Sequence, residues 1–148
     1  MNRRSQITLA AEFESLARFR AFVDEACRGS PVFDEDFRYD LKLAVDEACT
    51  NIITHGYAGM NPGSIILSME ITPQQVCMTL TDFGHPFEPS ETPQPDLQAA
   101  LEDREMGGFG LFFIYQTMDE VDYKTTEGGN ELTLIKRLPH TRKSLQEE

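Results

Sequence analysis

The chain has 148 residues, with 13 Lys and Arg against 25 Asp and Glu and a formal net charge of -12. This length suits one globular unit that buries a core without disulfide or metal staples, and 40% hydrophobic with 26% charged residues excludes wholesale disorder. The acidic balance argues against direct nucleic-acid binding, which needs clustered Lys and Arg to replace counterions. A nucleotide can still bind where metal ions and backbone dipoles supply positive charge locally. No apolar run approaches the roughly 20 residues of a membrane helix, and "MNRRSQITLAAEFESLARF" has no apolar core followed by a small-residue cleavage site. The expectation is a cytoplasmic protein without membrane contact. Cys27, Cys49 and Cys77 are odd in number and far apart, with no CxxC pair, so they read as buried reduced thiols.

In chain order, "SQITLAA" alternates weakly and opens the fold as a strand. "EFESLARFRAFVDEACR" then places Phe13, Leu16, Phe19, Phe22, Val23 and Ala26 at mostly helical spacing. Asp34 caps a second, longer helix, whose stripe of Phe37, Leu41, Ala44, Val45, Ala48 and Ile52 ends at Gly56. "GSIILSMEIT" and "QQVCMTLTD" read as a hairpin around Pro73, with Val76, Met78, Leu80 and Asp82 on one face. The stretch from Phe83 to Met106 holds four of the eight prolines and reads as a lid or binding loop, or as a disordered segment. "GGFGLFFIYQTM" is a glycine-rich loop running into an apolar helix, followed by strands "EVDYKTT" and "NELTLIKRL" around a "GGN" turn. The polar tail, about 139–148, is expected to fray. Strand, two helices, two strands, lid, helix and two strands predict a single domain: a two-layer α/β sandwich with a mixed sheet and its helices packed on one face.

Three places carry chemistry. At about 100° per residue, Glu47, Asn51 and His55 fall within about 80° of arc, beside the buried stripe. They are either a polar helix edge that caps neighbouring loops or a site at the boundary of the core. Asp82 ends a strand on its buried face, where an unpaired carboxylate is costly. Gly84 beside it lets backbone approach a flat ligand, although a plain Asp-x-Gly turn gives the same pattern. Gly107, Gly108 and Gly110 offer bare N–H groups and a helix dipole to a phosphate, or form a hinge. The tripeptide "DFG" is not the magnesium motif of eukaryotic-type protein kinases, since no catalytic loop, GxGxxG or VAIK-like strand accompanies it.

In order and spacing, "EACTNIITHGY", "DFGHPF" and "GGFGLFFIYQTMDEV" resemble the N box and the two glycine boxes of the histidine-kinase-like (GHKL) ATPases. The "NxxxHGY" ending and "MDEV" are most similar to the bacterial anti-sigma-factor serine/threonine kinases. The resemblance runs from the first strand to "LTLIKRL" and implies the histidine-kinase-like ATPase fold with ATP and Mg²⁺ as cofactors. It implies Asn51 as the Mg²⁺ ligand, Glu47 as general base toward a Ser or Thr hydroxyl, and His55 as a supporting contact at the nucleotide. Asp82 would accept from the adenine amino group, with Gly84 at the ring edge. Gly107, Gly108 and Gly110 would close over the phosphates, segment 83–108 would be the ATP lid, and Arg104 would reach the γ-phosphate. One departure is "GGNELTL", where relatives often carry a Thr-rich last strand near the adenine.

The implied function is an ATP-dependent serine/threonine protein kinase that phosphorylates a small anti-sigma-factor antagonist and sequesters a sigma factor or similar target. Relatives often pair as homodimers. A nucleotide-gated protein-binding switch without kinase activity would use the same residues, and an interaction domain with no ligand would leave the three sites unexplained.

Overall fold

The computed structural model describes residues 2–28, 33–86 and 108–139, the side chains of 108–112 excepted. Five strands, β1 (Arg3–Ala10), β2 (Ser64–Ile71), β3 (Gln75–Asp82), β4 (Glu120–Thr126) and β5 (Gly129–Arg137), form one sheet in the order β1-β2-β3-β5-β4. Helices α1 (Leu16–Cys27), α2 (Glu35–Asn51) and α3 (Gly108–Thr117) complete the sandwich. α2 is the central helix, packed against both α1 and α3.

The sheet is antiparallel at every pairing, not mixed. Two helices between β1 and β2 return the chain to the end it left, so the second strand runs back beside the first. β3 and β4, with α3 between them among the described residues, run the same way, but β5 inserts between them and pairs antiparallel with both. The sequence shows the helix crossover that suggests a parallel pair; it does not show which strand fills the gap.

Alternation decides what each strand buries. In β2 and β3 every second residue is buried, giving Ile65, Leu67, Met69 and Ile71 opposite Val76, Met78 and Leu80. These meet Phe19 and Val23 of α1, Leu41 and Val45 of α2, and Ile114 of α3 in one continuous cluster. Burying each such side chain contributes about 1.5–3 kcal/mol. The same alternation corrects one expectation: Cys27 and Cys49 are buried thiols, whereas Cys77 lies on the outer face and is only half-buried.

α2 starts as its sequence dictates. The Asp34 carboxylate accepts from the Phe37 N–H at 2.8 Å, and Glu35 and Asp36 in the first turn complement the helix dipole. Its end is less regular. Ile52–Gly56 winds as a π-helical turn, closed by Tyr57 N–H to the Ile52 carbonyl at 3.0 Å. Such turns interrupt α-helices mostly as single insertions, frequently at functional sites.

At the opposite end of the sheet the inner face of β5 carries Lys136, 6% exposed. Its ammonium donates to the Thr117 carbonyl at 2.7 Å, at the C-terminus of α3, and pairs with Asp40 of α2 at 3.3 Å. A cation there meets the negative end of the helix dipole and ties α3 and α2 to the last strand. No described helix is long and apolar enough to cross a membrane. The lid, about 83–108, lies almost wholly outside the described residues, as do Arg104, Gly107 and the tail beyond Pro139.

Candidate active site

Asp82 ends β3 on the sheet's inner face and is 5% exposed. Its Oδ1 accepts from the Gly84 N–H at 2.9 Å, closing an Asx turn, and from Asn130 Nδ2 at 3.0 Å. Among the described residues no hydrogen bond reaches Oδ2. A buried carboxylate satisfied on one oxygen and open on the other is an acceptor waiting for a donor.

Protein packing by itself requires glycine at position 84. A Cβ at Gly84 would overlap the Gly56 carbonyl group, lying 2.5 Å from its carbon. The same carbonyl accepts from the His85 N–H at 2.6 Å. The turn after β3 is thus pressed onto the π-helical end of α2, and this contact brings the Asp82 and Asn51 motifs to one end of the sandwich.

Tyr57 fastens the junction. Its hydroxyl donates to the Ser64 carbonyl at 2.8 Å and accepts from the Phe83 N–H at 3.0 Å, linking the end of α2 to the start of β2 and the end of β3. Burial pushes the phenol above its ordinary pKa and the Asp82 charge adds to this, while the Phe83 N–H works against both. His85 reaches the Ala58 carbonyl through Nε2 at 3.1 Å.

Glu47 and Asn51 sit half-buried on the α2 flank, and neither side chain makes a hydrogen bond among the described residues. Desolvation raises the Glu47 pKa above its usual value, and neighbouring Asp46 raises it further. Asp46 is held by Arg20, whose guanidinium lies 2.9 Å from both carboxylate oxygens. His55 lies in the π-helical turn that ends α2, and its side chain is exposed.

Gly108 and Gly110 lie within the first turn of α3, not in a loop before it. The first four N–H groups of a helix lack internal partners, so glycines here still offer bare donors and a positive dipole end. A shallow groove of about 560 Å³ on the outer sheet face, lined by Arg4, Gln6, Ser68, Glu70, Cys77 and Thr79 among others, touches none of these residues.

Sequence reasoning passed over Tyr57 and Asn130. Tyr57 stood inside the quoted motif without a role. Asn130 shares strand parity with Leu132 and Leu134, and a polar residue at an inner-face position was the available signal.

A family model described as the histidine kinase-like ATPase domain matches residues 9–136. The anti-sigma F factor of Pasteuria penetrans is 31% identical over 141 residues, 93% of this chain and 91% of its own. The serine/threonine-protein kinase BtrW of Bordetella bronchiseptica is 33% identical over 97 residues, 66% of this chain and 68% of that protein. Among solved structures, the RsbU and RsbW domains of Rv1364c from Mycobacterium tuberculosis share the fold, with a TM-score of 0.65 over 92% of this chain at 22% identity; this chain spans 32% of that one. The present chain belongs to the histidine kinase-like ATPase family and, within it, to the anti-sigma-factor serine/threonine-protein kinases.

Proposed function

We propose that the chain phosphorylates a Ser or Thr of a small anti-sigma-factor antagonist, using Mg-ATP, and sequesters a sigma factor or similar target, acting in the cytoplasm as a homodimer. The relatives named anti-sigma F factor and serine/threonine-protein kinase supply the partner classes. The single observation that carries the catalytic reading is Glu47: a half-buried carboxylate with no hydrogen-bond partner among the described residues, its pKa raised by desolvation, one helical turn before Asn51. A base works best when its pKa approaches the operating pH.

The donor set fits the cofactor. Among the described residues no three of His, Cys, Asp and Glu cluster as a metal cage. Mg²⁺ does not need one, since it usually keeps several waters and takes other ligands from phosphates. Bound Mg-ATP supplies the transferable phosphoryl group. Asn51 offers its amide oxygen to the metal, and Glu47 takes the proton of the acceptor hydroxyl. Asp82 Oδ2 accepts from the adenine amino group, Gly84 holds that turn in place, and Gly107, Gly108 and Gly110 contribute N–H groups to the phosphates. His55 stands at the exposed rim.

The test is phosphate transfer from radiolabelled ATP to a cognate antagonist by wild type and Glu47→Gln, with nucleotide binding measured alongside. Label on the antagonist that disappears in Glu47→Gln while ATP binding persists supports the kinase. Equal labelling by both proteins removes Glu47 as the base; ATP-dependent partner release without labelling would make the chain a nucleotide-gated switch.

A further inference from the structure

Asn130 is 3% exposed on the inner face of β5, directly across the ladder from Asp82. Its Nδ2 donates to Asp82 Oδ1 at 3.0 Å and to the Gly84 carbonyl at 2.9 Å. Two acceptors in front of one amide assign its orientation, because only the NH₂ end can serve both. Oδ1 also takes the Gly84 N–H. The two oxygens of Asp82 are therefore not equivalent: one is saturated by two fixed donors and the other has none among the described residues.

We infer that Asn130 is the positioning residue that sets base selectivity, by holding Oδ1 so that Oδ2 is a fixed acceptor for a purine 6-amino group and repels a 6-oxo group. This rests on the nucleotide reading given above. The terminal torsion of an aspartate is broad and roughly two-fold, so without Asn130 the carboxylate turns more freely and presents no defined lone pair. A threonine in its place would have a single hydroxyl donor. It can serve Asp82 or the Gly84 carbonyl but not both. Asparagine serves both, coupling the acceptor to the turn that carries it. Discrimination follows from the opposed outcomes: the 6-amino group meets an acceptor, whereas a 6-oxo group sets acceptor against acceptor.

The experiment is calorimetric titration of ADP and of IDP, each with Mg²⁺, into full-chain wild type, Asn130→Ala and Asn130→Thr, with circular dichroism to verify folding. Wild type is expected to prefer ADP. Asn130→Ala should weaken ADP about tenfold, the scale of one hydrogen bond to a charged group, and IDP much less, so that the ADP-to-IDP ratio falls. Asn130→Thr, which keeps one donor, should give an intermediate ratio and carries the test if the alanine variant does not fold. A merely structural role moves both nucleotides alike, so an unchanged ratio in a folded variant overturns the inference, as does a wild type without preference. A wild type that binds neither nucleotide overturns the nucleotide reading itself.

Discussion

Gly84→Ala is the sharpest probe of how the site is assembled. The added Cβ would lie 2.5 Å from the Gly56 carbonyl carbon and closer still to its oxygen, both backbone atoms that no rotamer change can move aside. The turn must therefore withdraw from α2. Overpacking of this kind costs about 1–3 kcal/mol. Withdrawal also loosens the His85 to Gly56 bond, the Gly84 N–H to Asp82 Oδ1 bond and the Asn130 bond to the Gly84 carbonyl, each contributing about 1 kcal/mol. With partial relaxation the total is about 3–5 kcal/mol, and for a chain of this size that lowers Tm by roughly 8–15 °C. Gly128→Ala is the matched control, since among the described residues its Cβ would meet only Thr126 Oγ1 at 3.6 Å, an ordinary contact. Thermal unfolding by circular dichroism and urea midpoints measure both. A Gly84→Ala protein within about 2 °C of wild type would refute the packing argument; loss of ADP binding in the folded variant at low temperature would tie that turn to the site.

Glu47 makes a signed prediction with pH. Its folded pKa is raised, so the folded state binds more protons than the unfolded state between the ordinary value of 4.5 and the raised one. Its contribution is favourable below that window and lost as pH rises through it. Glu47→Gln should accordingly gain stability relative to wild type as pH rises from 4 toward 7, read as a widening Tm difference; a difference constant with pH would remove the desolvation argument. Tyr57→Phe deletes the hydroxyl between Ser64 and Phe83 and leaves a part-buried N–H without its acceptor, for an expected loss of about 1–3 kcal/mol. An unchanged urea midpoint would show that water replaces the hydroxyl at no cost.

Much of the molecule was legible in one dimension because its signals are local. The Asp34 cap, the α2 stripe and the alternation of β2 and β3 follow from side-chain type at fixed spacing, since helix and strand periods are properties of the backbone itself. Asp82 was legible for the same reason: strand parity puts it on the inner face, where a carboxylate needs an explanation. The antiparallel sheet was decided only in three dimensions, because the insertion of β5 between β3 and β4 is a choice among packings with the same local patterns. The π-helical turn that ends α2 arises where the helix end packs against the turn after β3. So does the demand for glycine at position 84, which comes from Gly56, 28 residues away in the sequence. The hold of Asn130 on Asp82 links residues 48 apart. The chain alone says which groups are unusual; the ladder register says which of them meet, because a buried donor and acceptor are satisfied only by what the fold places within about 3 Å.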